Sequence, residues 1–316
     1  MRVGILSTAS IVPRFIQAFR ETDGGEILAV ASRSEARAAE FAAAWDIPRS
    51  YGSYEALLED PEIDLVYIAM VSGAHAAYTL RALECGKHVI CEKPFALTRA
   101  DAEQMFRTAA RHGRFLAEAQ KAVFLPVTET VRTMIAEGVL GRIRYADFTS
   151  SFSGSYNSWI HSGALGGGAL FSNGGYSVAL AQHLFGEAES YTGLCTRGES
   201  DTDEQCAFCM RMASGVLVTS RISTVAASPS RALICGDLGY AEIPDFWKAQ
   251  TACIHLNSGK TIPLSFPCRH ELVYELRHFL ECIGQGLVQS PVLDARRTIR
   301  TAEILQTLHD EWDAAR

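Results

Sequence analysis

Along the first 120 residues, apolar and polar positions switch repeatedly between two periods. Short, nearly continuous apolar runs in "RVGILS", "EILAVASRS", "DLVYIAM", "HVICEK" and "FLAEA" predict buried strands. Between them, "IVPRFIQAFRET", the Ala-rich "EARAAEFAAAW", "HAAYTLRALECG" and "RADAEQMFRTAARHG" have helical spacing, with Gly86 and Gly113 as C-terminal stops of the last two. Strands alternating with helices of this length predict βαβ units and a doubly wound parallel sheet of the dinucleotide-binding kind. Beyond Lys121 the period changes. A helix, "VTETVRTMIAEG", precedes the strand-like "IRYADFTSSF", "QCAFCMRM", "VLVTSRIST", "RALICG" and "ACIHLNS". Two helical segments follow, "HELVYELRHFLECIGQG" and "DARRTIRTAEILQTLHDEW", the second with Asp294 as N-cap. The expected architecture is an α/β domain over 1–120 and an α+β domain over 121–316 with an open, mostly antiparallel sheet.

Composition narrows the partners. A chain of 316 residues suits two cores rather than one, and 48% hydrophobic with 21% charged residues describes a soluble globular protein. A net charge of -7 argues against nucleic acid or an anionic membrane as the main partner. The opening "MRVGILSTAS" has an apolar stretch too short for a signal peptide, and no run approaches a membrane span, so a cytoplasmic location is expected. Nine cysteines, an odd number, fit reduced thiols. In the "CxxC" of Cys206 and Cys209 an odd offset along a strand points the sulfurs to opposite faces, which argues for packing rather than a metal or redox pair.

A dinucleotide fold needs a tight turn after its first strand. Here the turn is "LSTASIV", which contains no glycine, since Gly4 lies inside the strand. Ser7, Thr8 and Ala9 are small enough for close approach, and Ile11 completes the candidate contacts. An ordinary Ser- or Thr-capped turn fits the same residues. At the end of the second strand, "AVASRSEAR" places Ser32, Arg33 and Ser34 where an acid would hold a ribose 2′-hydroxyl, with Arg37 one turn further on. Arginine and hydroxyl donors suit a 2′-phosphate, so NADP is expected over NAD.

"HVICEKP" closes another strand at the sheet edge where such folds hold ligands. Lys93 is then aimed at the ligand by Pro94, and Glu92 can hold the ammonium or a cofactor hydroxyl. A surface charge pair closing a strand reads the same way in isolation. In "GGGALFSNGGYSVALAQHLFG" a glycine run becomes a helix near Leu170. "SYNSWIHSGALGGG" offers Tyr156, Asn157, Trp159 and His161, aromatic and hydrogen-bonding groups suited to a sugar or polyol ring. His161 has no partner at metal-ligand spacing, so no metal is assigned.

"DLVYIAMVSGAHAAYTLRALECGKHVICEKP" together with "GGGALFSNGGY" closely resembles the glucose-fructose oxidoreductase/inositol dehydrogenase/rhizopine catabolism (Gfo/Idh/MocA) family, over nearly the whole chain. The nearest sub-pattern is the dihydrodiol dehydrogenase or aldose type. The resemblance implies an N-terminal Rossmann domain and a C-terminal open sheet that mediates a homodimer or homotetramer. It also implies reversible hydride transfer between NAD(P) and a small-molecule sugar, cyclic polyol or dihydrodiol. It makes Lys93 the catalytic lysine, Pro94 a cis-proline and Tyr176 the oxygen-binding group.

Several positions depart from the family pattern. Ser172 occupies the position of an Asp, so the lysine loses a counter-ion. Met70-Val71-Ser72 replaces Thr-Pro-Asn, with His75 retained, and Val123 replaces an arginine. Gln120 and Lys121 are polar where family members often carry apolar groups. Gln120 and Asn173 join Tyr156, Trp159, His161, Lys93 and Tyr176 as candidate substrate contacts. Met70, Ser72, His75 and Glu92 are candidate cofactor contacts. Two other activities fit the same fold: an NADP-binding regulator without turnover, and a non-redox glycosidase using NAD(P) transiently.

Overall fold

The computed structural model describes residues 1–154, 158–199 and 201–315. The chain begins β1 (Arg2–Leu6), α1 (Val12–Arg20), β2 (Glu26–Ala31), α2 (Glu35–Ala44), β3 (Arg49–Tyr51) and α3 (Tyr54–Glu59). It continues β4 (Leu65–Ile68), α4 (His75–Glu84), β5 (His88–Glu92), α5 (Arg99–His112) and β6 (Leu116–Ala119). Then come α6 (Pro126–Ala136), β7 (Ile143–Ser151), α7 (Gly175–Phe185), β8 (Ala188–Arg197), β9 (Asp203–Met212) and β10 (Leu217–Ser223). The last elements are β11 (Arg231–Gly236), β12 (Gly239–Pro244), β13 (Thr251–Leu256), β14 (Thr261–Ser265), α8 (Leu272–Gly284) and α9 (Ala295–Ala314).

Local chemistry places the early boundaries. Ser34, Ser53 and Thr98 cap α2, α3 and α5, each side-chain oxygen accepting a backbone N–H of the first turn. Gly113 ends α5 at φ 59°, a left-handed conformation that glycine adopts without penalty. Gly4 sits in β1 because a Cβ there would fall 2.7 Å from Leu57 Cδ2. The six strands β1–β6 form a parallel sheet in the order β3-β2-β1-β4-β5-β6, with Val3, Ile5, Leu65, Val66, Val89 and Ile90 fully buried. Strands buried on both faces are what near-continuous apolar runs encode.

The chain divides into two compact units, 1–119 with 272–299 and 120–271 with 300–316. The sequence pattern had assigned everything after 120 to the second domain, but α8 returns to the first unit. There Phe279 lies against Phe115, ring centroids 5.8 Å apart, and Leu280 fills the space beside Gly24. Arg277 donates to Glu21 O at 3.1 Å, and Leu116 N–H donates to Val288 O at 3.0 Å. The amphipathic face of α8 is readable from its sequence; the partner of that face is not.

In the second unit, eight strands run in the order β14-β13-β12-β11-β7-β10-β9-β8, antiparallel except for the pair β7 and β10. Alternation along β9 buries Cys206, Phe208, Met210 and Met212 and leaves Cys209 partly exposed, so the two sulfurs of "CxxC" do face opposite ways. α7, buried along most of its length, packs against β9, and the Ser220 hydroxyl donates to Ser177 Oγ at 2.8 Å to tie β10 to α7. Asp294 caps α9 as expected, accepting from Arg297 N–H at 3.0 Å. Among the described residues no helix is long and apolar enough to cross a membrane.

Candidate active site

In the first unit, the turn after β1 achieves without glycine what that turn requires. Ser7 takes φ 107°, its N–H donates to Ala31 O at 3.0 Å, and its Oγ accepts from Ala9 N–H at 3.0 Å. Pro13 opens α1 without wasting a donor. Thr8, Ala9 and Ile11 are half-buried around the bend. A non-glycine residue at this φ stores about 1 kcal/mol or more. Ser7→Gly is therefore expected to raise the urea midpoint by the equivalent of about 1 kcal/mol; a lower midpoint would mean that the Ser7–Ala9 hydrogen bond outweighs the strain.

At the end of β2, Ser32 is buried, while Arg33 and Arg37 are exposed. Both arginines face Tyr54: burial pushes its phenol up, and the two cations pull the other way. Ser34 is occupied with capping α2, its Oγ accepting Arg37 N–H at 3.4 Å. The cradle of small residues at Ser7–Ala9 and the paired cations beyond β2 both fit a dinucleotide carrying a 2′-phosphate.

The "CGKHVICEKP" segment separates into two tasks. Lys87, buried, donates to Asp60 O at 2.6 Å and Ile63 O at 2.9 Å, and His88 Nδ1 accepts Phe115 N–H at 2.9 Å, so these two anchor the start of β5. At its other end the Lys93–Pro94 peptide is cis and Lys93 is half-buried. Glu92 is engaged within the protein: Oε1 accepts the Tyr67 hydroxyl at 2.6 Å and Oε2 accepts Lys93 N–H at 3.2 Å. The carboxylate thus orients the backbone of Lys93.

His75 lies between Pro94 O, 2.8 Å from Nδ1, and Met70 O, 3.0 Å from Nε2. Burial holds this imidazole below its ordinary range, and the neutral ring has one N–H to donate to one of the two carbonyls. His75 therefore ties the loop after β4, which includes Met70 and the buried Ser72, to the turn that carries Lys93. Glu118 on β6, opposite Cys91 of β5, is a residue that sequence reasoning passed over. Burial pushes its carboxyl up to about 8, with Glu92 adding to the rise and the Phe95 backbone and Lys93 opposing it.

In the second unit, the glycine run is required by close approach. A Cβ on Gly167 would fall 2.4 Å from both Trp159 O and Ile160 O, and Gly168, at φ 112°, packs onto Asp203. Asp203 Oδ2 accepts Leu170 N–H at 2.7 Å, anchoring a single π-helical turn over Leu170–Gly174 that leads into α7. This turn places the candidates differently from the regular helix expected. The Ser172 hydroxyl donates to Ala169 O at 3.0 Å, within its own turn, and Asn173 Nδ2 donates to Ser150 Oγ. Tyr176 is buried, and its hydroxyl accepts Lys121 Nζ at 3.1 Å. The Trp247 ring lies 6.1 Å from that of Tyr176, an aromatic neighbour with no sequence signal beyond being a tryptophan in a loop.

Gln120 is fully buried, and Val123 fills core volume where the family pattern has an arginine. Trp159 is half-buried and His161 is buried with its ring beside Gly154; Tyr156 and Asn157 lie outside the described residues. Among the described residues no group of three acidic, His or Cys side chains could hold a metal ion.

A parallel sheet in the order 3-2-1-4-5-6, with a tight turn after β1 and cations after β2, defines a Rossmann dinucleotide-binding unit, here joined to an open-sheet domain. Residues 1–120 match the model for the oxidoreductase family, NAD-binding Rossmann fold, and residues 128–242 match that for the GFO/IDH/MocA C-terminal domain. The chain belongs to the Gfo/Idh/MocA oxidoreductase family. Trans-1,2-dihydrobenzene-1,2-diol dehydrogenase of Xenopus laevis is 30% identical over 321 residues, covering 98% of this chain and 96% of that one. A 3-ketoreductase from Actinomadura kijaniata, solved with NADP and TDP-benzene, shares the fold at TM-score 0.89 and 24% identity, covering 98% of this chain and 97% of its own. An aldose-aldose oxidoreductase from Caulobacter crescentus complexed with glycerol matches at TM-score 0.89 and 24% identity, covering 100% and 98%.

Proposed function

We propose that this oxidoreductase prefers NADP(H) over NAD(H) and acts on a sugar, cyclic polyol or dihydrodiol. The observation that carries the cofactor preference is the end of β2, where Ser32 is buried, Arg33 and Arg37 stand with Tyr54, and no carboxylate follows the strand until Glu35 at the first position of α2. The diol dehydrogenase relatives and the aldose-aldose oxidoreductase neighbour support the substrate class. When bound, the nicotinamide supplies or accepts the hydride. Lys93 and Tyr176 handle the accompanying proton, Lys93 held by the Glu92 and His75 contacts and Tyr176 by Lys121. Trp159 and His161, with Tyr156, contribute to substrate selection.

Titration with NADPH and NADH, followed by tryptophan quenching, tests the preference. Arg33→Ala is expected to weaken NADPH by about 10-fold or more while leaving NADH nearly unchanged; equal losses for both would remove the assignment.

We further propose a cytoplasmic homodimer or homotetramer assembled through the open sheet. Tyr145, Leu217 and Tyr240, on neighbouring registers of β7, β10 and β12, and Leu194 of β8 are large apolar side chains left exposed. Light scattering that returned the mass of one chain would reject this assembly.

A further inference from the structure

Gln120 and Lys121 are consecutive residues that enter the short turn after β6, and both side chains are buried, Gln120 completely. Among the described residues neither amide atom of Gln120 meets a hydrogen-bond partner. An orphaned buried donor or acceptor destabilises the fold, so a bound ligand that satisfies both atoms recovers what the fold forgoes. Their surroundings belong to one unit. A Cβ on Gly175 would come 3.8 Å from Gln120 Nε2, and the next residue is Tyr176, whose hydroxyl accepts Lys121 Nζ at 3.1 Å. The same ammonium lies 5.3 Å from the centroid of the Tyr176 ring, and the Trp247 indole is inclined to that ring by 28°. An amide, a phenol, an ammonium and an aromatic face therefore converge from the β6–α6 link, α7 and the loop after β12.

We propose that Lys121 is a positioning residue that holds the Tyr176 hydroxyl for proton exchange with the substrate oxygen, while Gln120 receives a second oxygen on the adjacent substrate carbon. The inference rests on the oxidoreductase reading and extends it to this chain's own residues. In the reducing direction the Tyr176 O–H bond breaks and its proton goes to the carbonyl oxygen, whose π pair forms the new O–H bond as hydride arrives at carbon. The phenolate left behind is held by the Lys121 ammonium and regains a proton through Lys93, which exchanges it with solvent; oxidation runs the same steps backwards. The Ser172 hydroxyl donates to Ala169 O. The positive charge that stabilises the phenolate formed at Tyr176 comes from Lys121, through a charge-assisted hydrogen bond. A substrate bearing a hydroxyl beside the reacting carbon satisfies the Gln120 amide, and one lacking it leaves the amide orphaned. Sites built to hydrogen-bond a hydroxyl reject the analogue without it far more strongly than apolar pockets reject size differences.

The test uses the full chain saturated with NADP⁺ and two ligand pairs, D-glucose with 2-deoxy-D-glucose and trans-cyclohexane-1,2-diol with cyclohexanol. Binding is read from tryptophan fluorescence and turnover from NADPH absorbance. In the wild type the vicinal hydroxyl is expected to add about 100-fold to kcat/KM and to tighten binding. Gln120→Leu should narrow both ratios to about threefold. Lys121→Met should lower kcat by about 100-fold for every turned-over member with KM little changed, and Lys121→Arg should recover about 10-fold of the loss.

Circular dichroism and urea midpoints establish that each variant is folded. If the wild type turns over either pair but Gln120→Leu keeps the discrimination, or if Lys121→Met keeps kcat, this inference fails while the oxidoreductase reading stands. If the wild type neither binds nor turns over any of the four, both are overturned.

Discussion

Lys93→Met is expected to lower kcat/KM about 1000-fold while leaving the affinity for NADPH essentially unchanged. The argument is geometric. Lys93 stands at the carboxyl end of β5, an inner strand of the parallel sheet, where open α/β folds bind their ligands. Its backbone is held on one side by Glu92, itself fixed by the Tyr67 hydroxyl, and on the other by Pro94, whose carbonyl meets His75. A side chain projecting from so constrained a position suits proton handling and is poorly suited to acting as a flexible surface charge. Methionine keeps the length and apolar stem of lysine and removes the ammonium. Steady-state kinetics alongside fluorescence titration separates the two effects. Unchanged turnover would mean that no proton passes through this residue, and unchanged biological function without any turnover in the wild type would favour a nucleotide-binding regulator.

Glu118→Gln is expected to protect the fold at alkaline pH. The folded-state value of about 8 lies above the ordinary 4.5, with burial as the foremost cause, so the folded protein prefers the protonated carboxyl. The stability this provides is fully present below about pH 4.5 and is lost progressively as pH rises through about 8. Taken across that window the loss amounts to at most about 5 kcal/mol. Glutamine keeps an acceptor and cannot ionise. The urea midpoint of the variant should match the wild type at pH 5 and exceed it clearly at pH 9; parallel decline of both proteins between these values would show that Glu118 is not the group responsible.

Much of the architecture was legible because it is local. The alternation of apolar runs with helical periods identified the parallel sheet, and Gly113 and Asp294 marked helix ends through backbone chemistry that depends on a few neighbouring residues. The "CGKHVICEKP" and "GGGALFSNGGY" motifs pointed to the family for the same reason. Their separate duties were not legible. Lys87 and Lys93 look alike in the sequence, yet one ends on two carbonyl oxygens of the α3–β4 connection and the other emerges from a cis peptide at the far end of the strand. Nor was the π-helical turn legible in which the Ser172 hydroxyl donates to Ala169 O.

The sequence by itself determined most of the elements, though not β3, α3, β8, β12 or β14, together with the absence of a glycine in the nucleotide turn and the exchange of acid for arginine after β2. Each of these depends on residues within a few positions of one another. Tertiary structure decided that α8 rejoins the first unit, that Asp203 anchors the glycine run from 33 residues away, and that Lys121 meets Tyr176 across 55 residues of chain. Contacts at such separations are set by how sheet and helices pack, and periodicity along a chain holds no record of which buried side chain will face which.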